Sequence, residues 1–307
     1  MINLLYQITR TIRPRQWLKN LAVFAVPILQ GTVFNKGIFE ASALAFVSFT
    51  LLACGTYILN DMVDAPEDRK HPVKKNRPIA SGKISFNLAL MLMLIFYSLG
   101  LWVSFNHVGS FFGFLGISYV LLQLSYSFYF RSIIIMDALA VSAGFILRVF
   151  AGGVASDTSI PSWLVLTTIG LSMLLAFGKR RSEKTLLSEY QESETRATLL
   201  HYPATLLDSM ISMSASFCMI SYSVYAFQNS PVLSDTEITK LLPSILKSPK
   251  GMMITIPLVL YGIARYLYII YEKKEGESPE RVLLSDRPLL FTVLLWTIVV
   301  FFIRYAL

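Results

Sequence analysis

Nine apolar runs dominate this chain, at approximately 20–36, 38–59, 86–105, 109–130, 133–151, 161–178, 204–227, 251–271 and 288–306. Each approaches the ~20 residues a helix needs to cross a ~30 Å hydrocarbon core. The runs are continuous rather than strictly alternating, which favours helices over a transmembrane barrel. With 54% hydrophobic and only 15% charged residues among 307, and a mean hydropathy of +0.58, the chain is too apolar for a soluble α/β enzyme of this length. The expected fold is an all-α polytopic membrane protein. It reads as a single helical domain over residues 1–307, with polar loops at about 60–85 and 179–203.

The net charge of +8 would suit a nucleic-acid partner, but the distribution of the bases argues for none. Of 27 lysines and arginines, 20 fall before the first run or in the loops after the second, fourth, sixth and eighth. That one-sided bias places the N-terminus and the even-numbered loops in the cytoplasm, and nine spans then leave the C-terminus outside. The compartment expected is the bacterial cytoplasmic membrane. The basic N-terminus shows no small-residue cleavage site, so the first run reads as a retained span rather than a signal peptide. Cys54 and Cys218 lie within apolar runs and read as small buried hydrophobes, with no disulfide. Nothing in the sequence sets the oligomeric state, and a homo-oligomer is compatible with it.

Polar mass is concentrated on the cytoplasmic side, and its most distinctive piece follows the second run. Asn60, Asp61, Asp64 and Asp68 are followed at once by Arg69, Lys70, His71, Lys74, Lys75 and Arg77. Asp61, Asp64 and Asp68 stand at i, i+3 and i+7, so on a helix their carboxylates share one face. Whether the helix persists past Pro66 decides this, because Pro66, Pro72 and Pro78 interrupt the stretch. Crowded carboxylates repel one another unless a cation sits among them, and magnesium takes such hard oxygen ligands while keeping positions for phosphate oxygens. The pattern predicts a site for a metal-bound diphosphate, with Asn60, Asp61, Asp64 and Asp68 as metal ligands. The bland alternative is an acidic loop balanced by its neighbours. Against it, Asn60 and Asp61 abut the apolar run, where polar groups are costly unless they face an interior cavity.

Other constellations carry two readings each. The bases from Arg69 to Lys83 serve topology, yet beside three aspartates Lys74 and Arg77 are available as donors to phosphate oxygens. Lys179, Arg180 and Arg181 anchor the end of the sixth run or bind an anion. Lys19 snorkels to the interface beside Trp17 or reaches a phosphate. Tyr126, Arg131, Asp137 and Arg148 are candidate cavity-lining residues. Asp137 and Arg148, separated by roughly 16 Å along a helix, are too far apart to pair, so Arg148 is expected to have another anionic partner or a ligand. His71, His107 and His201 show no metal-ligand spacing, and no nucleophile elbow or Walker loop is present. Ser85 is the expected N-cap of the third span.

Asn60-Asp61-x-x-Asp64-x-x-x-Asp68 resembles the first Asp-rich motif of the UbiA superfamily of intramembrane transferases, which are nine-helix bundles. Three further stretches are similar to its decaprenyl-phosphate phosphoribosyltransferase branch. They are Arg13-Pro14-Arg15-Gln16-Trp17-Leu18-Lys19-Asn20, His71-Pro72-x-Lys74-x-x-Arg77-Pro78-Ile79-Ala80-Ser81-Gly82, and Gly144-Phe145-Ile146-Leu147-Arg148-Val149-Phe150-Ala151-Gly152-Gly153. Gly178-Lys179-Arg180-Arg181-Ser182-Glu183 fits the same branch. Superfamily prenyltransferases carry a second acidic motif at that last place, for a second magnesium; here it is basic.

The resemblance implies Mg2+-dependent transfer of 5-phosphoribose from phosphoribosyl pyrophosphate to a polyprenyl phosphate, releasing diphosphate, in cell envelope biosynthesis. Asp61, Asp64 and Asp68 would be catalytic through the metal. Lys19, Asn60, Lys74, Arg77, Tyr126, Arg131, Asp137, Arg148, Lys179, Arg180 and Arg181 would bind the substrates. The alternatives are a prenyltransferase using a prenyl diphosphate with an aromatic or lipid acceptor, and, from a different class, a transporter with Arg148 and Asp137 on its pathway.

Overall fold

The computed structural model describes residues 2–71, 74–190, 202–230, 250–273 and 279–305. Among these there is no strand, and eight helices are long and apolar enough to cross a membrane. They correspond to the second through ninth apolar runs. Backbone hydrogen bonds closed within each helix are what a lipid environment requires. The chain is an integral membrane protein, and the described residues form two compact units.

The first unit holds helix α1 (Ile2–Ile12), a 3-10 stretch over Pro14–Phe24 that leads into the five-residue α2 (Ala25–Leu29), whose last two residues are counted in the second unit, then α3 (Ile38–Asp68), α4 (Phe86–Val103), α5 (Ser110–Phe128) and α6 (Met136–Ala155). The first apolar run therefore does not form the regular span expected over 20–36. Arg13 turns the chain in the left-handed region at φ 51 before Pro14. Pro27 supplies no N–H, and Gly31 adopts φ 76, so an unbroken α-helical ladder cannot cover the run.

Helix α3 also departs from expectation by running nine residues beyond the predicted end at 59. Pro66 falls in its last turn, and the helix closes normally past it, Arg69 N–H donating to Ala65 O at 3.2 Å. One core joins Val23, Phe49, Leu52, Phe112, Tyr119 and Ala151; a second joins Ile58, Met62, Ala65, Ile79 and Ile84. Ser85 caps α4 as expected, its Oγ accepting from Leu88 N–H at 3.4 Å.

A close approach fixes the entry segment in this unit. A Cβ at Gly152 would lie 1.9 Å from the carbonyl oxygen of Val23. Only glycine lets α6 and the 3-10 stretch meet there.

The second unit holds α7 (Ser162–Tyr190), α8 (Ala204–Gln228), α9 (Ile256–Tyr268), α10 (Pro279–Ser285) and α11 (Arg287–Tyr305). Helix α7 continues past the predicted end at 178, so Lys179, Arg180 and Arg181 are helical rather than in a loop. Glu192 and Glu194, and most of the stretch 228–250, lie outside the described residues. A 3-10 turn (Gly251–Thr255) precedes α9, and a π turn (Ile269–Lys273) follows it. Phe291, Leu294, Ile298 and Phe302 of α11 are exposed at i, i+3, i+7 and i+11, a single apolar stripe suited to lipid. Cys54 and Cys218 are buried free thiols, as expected.

Asp286 ties three parts of this unit together. It accepts from Arg265 Nε at 3.0 Å and Nη2 at 2.9 Å, from Lys273 Nζ at 2.9 Å, and, as N-cap of α11, from Leu289 N–H at 3.0 Å. The Arg265 guanidinium, helped by Lys273 and the Leu289 N–H, holds its carboxyl well below the usual carboxylate range.

Candidate active site

Because α3 is helical through Pro66, Asp61, Asp64 and Asp68 fall within about 60° of one another around it. Asp61 is 2% and Asp68 4% exposed, a burial that isolated carboxylates would not tolerate. Each acid is met by a guanidinium. Arg77 Nη1 lies 2.7 Å from Asp68 Oδ2 and 3.3 Å from Asp61 Oδ1, bridging the two. Arg13 donates to Asp61 and Arg131 to Asp64. Asn60, one residue before the cluster, accepts a hydrogen bond from the Ser127 hydroxyl of α5.

The loop after α3 is built to aim Arg77. Pro78 restrains the chain, and Ile84 N–H donates to Pro78 O at 3.0 Å. Gly82, at φ 73, supplies the left-handed residue of the turn. Ile79 and Ala80 are buried, and Arg69 Nε donates to Ala80 O at 3.2 Å. The stretch Arg77–Gly82 is thus a folded strap that holds a guanidinium over two acids.

Arg13 is absent from the residues expected to form the site. Its side chain reaches Asp61 and stands 5.6 Å over the Tyr57 ring, and its backbone takes a conformation that non-glycine residues rarely adopt. The available signal was its place just before Pro14 in a stretch otherwise read for Trp17 and Lys19. Lys19 is half-buried on the 3-10 stretch, Tyr126 is half-buried next to Ser127, and Lys74 is exposed on a short 3-10 turn.

Arg148 is 5% exposed, and its polar partners differ from expectation. Nε donates to Asn20 Oδ1 at 2.7 Å, Nη1 to Gly144 O at 2.8 Å and Nη2 to the Tyr119 hydroxyl at 2.9 Å. The guanidinium also lies 4.9 Å over the Tyr119 ring and 5.6 Å over Phe145. Among the described residues these partners are all neutral, so a full positive charge is solvated by dipoles and aromatic faces. Asp137 is buried in the first turn of α6 and accepts from Ala138 N–H at 2.8 Å, an acid at the helix end that favours negative charge.

In the second unit, Arg180 is 5% exposed, and its Nη1 lies 2.6 Å from Glu183 Oε2. Lys179 Nζ is 3.8 Å from the other oxygen of the same carboxylate. Arg181 Nε donates to Asp208 Oδ1 at 2.8 Å, and its Nη1 to Thr185 Oγ1 at 2.6 Å.

Four oxygen-donor side chains, Asn60, Asp61, Asp64 and Asp68, fit a hard divalent cation in kind. In the geometry observed they do not gather on one point. Among the described residues no three acids, histidines or cysteines converge to hold a metal, since each aspartate turns to an arginine.

With this geometry in hand, comparison with known proteins is informative. The UbiA prenyltransferase family matches over residues 22–227. A decaprenyl-phosphate phosphoribosyltransferase of Corynebacterium glutamicum is 32% identical over 299 residues, covering 96% of this chain and 85% of that one. Its counterpart in Mycolicibacterium smegmatis is 31% identical over 302 residues, covering 96% and 91%. Among solved structures, a UbiA homologue from Archaeoglobus fulgidus bound to GPP and Mg2+ superposes with a TM-score of 0.70 at 19% identity, covering 97% of this chain and 99% of that one. At that identity the superposition shows the fold. By the span of the family match and the near-complete coverage of its relatives, this chain belongs to the UbiA prenyltransferase family.

Proposed function

We propose that this protein transfers 5-phosphoribose from phosphoribosyl pyrophosphate to a polyprenyl phosphate and releases diphosphate. The observation that carries the reading is similarity along 96% of the chain to decaprenyl-phosphate phosphoribosyltransferases. The residues support it. Members that move prenyl groups resemble one another in a second acidic motif after the sixth span, whereas Lys179, Arg180 and Arg181 stand at that place here. Bases suit a donor with a further anionic group, and the 5-phosphate is one.

Mg2+ held by Asn60, Asp61, Asp64 and Asp68 would neutralise the departing diphosphate. Arg77, Arg13, Lys19 and Lys74 are assigned to diphosphate oxygens, where charge-assisted hydrogen bonds are strongest. Lys179, Arg180 and Arg181 are assigned to the 5-phosphate or the lipid phosphate. The bond from the anomeric carbon to the diphosphate oxygen breaks, and a lipid phosphate oxygen bonds to that carbon. The acceptor is already anionic, so the reaction demands no general base, and none of the three histidines is needed. Tyr126, Arg131, Asp137 and Arg148 are assigned to the cavity lining, with Arg148 contributing positive charge that meets no carboxylate among the described residues.

The N-terminus and the Asp cluster are assigned to the cytoplasmic side by the positive-inside rule, with the broken first segment counted as a crossing. The test is turnover by purified protein in detergent. Release of diphosphate with phosphoribosyl pyrophosphate and polyprenyl phosphate, but not with a prenyl diphosphate donor, is the expected result. Activity with the prenyl diphosphate alone would favour a prenyltransferase, and no release with either would favour a transporter.

A further inference from the structure

Three helical segments of the second unit converge on Arg181. Its own α7 offers Thr185 Oγ1 at 2.6 Å, and α8 offers Asp208 Oδ1 at 2.8 Å. The π turn after α9 brings Tyr271, whose hydroxyl donates to the same Asp208 oxygen at 3.0 Å and whose ring lies 5.7 Å beneath the guanidinium. The neighbouring bases are placed differently. Arg180 is buried and committed to Glu183 at 2.6 Å, and Lys179 extends toward the same acid at 3.8 Å.

A guanidinium has five N–H donors. Among the described residues the contacts of Arg181 use Nε–H and one N–H on Nη1, which leaves donors on both Nη nitrogens, and the side chain is 23% exposed. Paired Nη donors match two oxygens of a phosphate monoester. Holding the side chain from three directions removes much of the rotamer entropy that binding would otherwise cost. Asp208, with 40% of its side chain exposed, is partly screened by solvent, so its pairing cancels less of the Arg181 charge than a buried acid would.

We infer that Asp208 and Tyr271 are positioning residues that hold Arg181 as a preset fork for the phosphate monoester of the sugar donor. Arg181, rather than Lys179 or Arg180, then carries that recognition. The inference rests on the donor proposed above and narrows the three candidate bases to one. Tyr271 lies on the π turn that follows α9, and such turns are frequent at functional sites.

The test is steady-state kinetics of purified full-length protein with phosphoribosyl pyrophosphate varied against polyprenyl phosphate, then the reverse, with ribosyl 1-diphosphate lacking the 5-phosphate as a second donor. Tyr271→Phe and Asp208→Asn are expected to raise KM for phosphoribosyl pyrophosphate about tenfold, the loss of roughly one charge-assisted contact. The KM for polyprenyl phosphate and the turnover of the dephospho donor should stay within twofold, and Asp208→Glu should recover part of the loss. On an Arg181→Ala background neither substitution should add a further loss. An unchanged donor KM, a rise confined to the lipid KM, or a full additional loss on the Arg181→Ala background overturns the inference. If Asp208→Asn does not fold, Tyr271→Phe carries the test alone. Failure of the unmodified protein to use phosphoribosyl pyrophosphate would take down the proposed function as well. Normal turnover with unaffected variants would take down only the positioning role.

Discussion

Replacing Gly152 by alanine tests the packing that seats the entry segment on α6. The new Cβ would lie 1.9 Å from Val23 O and 2.8 Å from Val23 C. An ordinary carbon–oxygen contact is about 3.4 Å, so the two backbones must part by about 1.5 Å. Neither atom belongs to a flexible side chain that could swing away. Overpacking against a rigid neighbour costs about 3 kcal/mol, offset by about 1 kcal/mol from the better helix propensity of alanine. The net loss of about 2 kcal/mol corresponds to a melting midpoint lower by on the order of 5 °C. Thermal melts of detergent-purified protein, followed by loss of the monodisperse peak in size-exclusion chromatography, read this directly. Gly262→Ala is the control, since its Cβ would meet only Thr292 Cγ2 at 3.9 Å, and it should melt within a degree or two of the parent. Turnover should fall with Gly152→Ala because the displaced segment carries Arg13 and Lys19. A Gly152→Ala protein as stable and as active as the parent would show that the close approach does not exist.

Further outcomes follow from the acid cluster and from Asp286. Asp64→Ala and Asp68→Ala should abolish magnesium-dependent turnover in the diphosphate-release assay while leaving the melt largely intact; intact turnover would remove these residues from the metal site. Arg13→Ala leaves Asp61 with Arg77 at 3.3 Å, and should cost about 1 kcal/mol of stability, since a second guanidinium remains, while raising the donor KM about tenfold. Asp286, whose folded pKa is depressed, adds stability that is present above the unfolded carboxylate value of about 3.9 and is lost as pH falls toward the lower folded value. The stability gap between the parent and Asp286→Asn should therefore be constant from about pH 5 to 7 and shrink below about pH 4. A reporter fused to the C-terminus should label from the outside; a cytoplasmic signal would mean that the first segment does not cross.

The acid cluster and the helices around it were legible for different reasons. Apolar runs of spanning length declare helices whatever surrounds them, and residues 86–105 or 288–306 needed no partner to be read. The i, i+3, i+7 spacing of Asp61, Asp64 and Asp68 gave a shared face conditional on the backbone at Pro66. A proline in a last turn disturbs little, and the helix continues to Asp68. The first run was misread as a regular span because hydropathy counts side chains and ignores missing N–H groups and left-handed corners. Arg13 and the bases of α7 were ambiguous for a related reason. A positive charge near a membrane surface serves topology and catalysis equally well until its partner is known.

Composition and period were enough to establish apolar helices of membrane-spanning length, because burial of apolar residues and closure of backbone hydrogen bonds act locally along the chain. Pairing does not. That Arg77 bridges Asp61 and Asp68, that Arg13 reaches Asp61, that Arg148 is solvated by Asn20 and Tyr119, and that Asp208 and Tyr271 bracket Arg181 all depend on contacts between segments far apart in sequence. Electrostatic interactions decay over a few ångströms and take their strength from burial. Only the tertiary arrangement, which sets both separation and burial, could decide which of the many charges in this chain would meet.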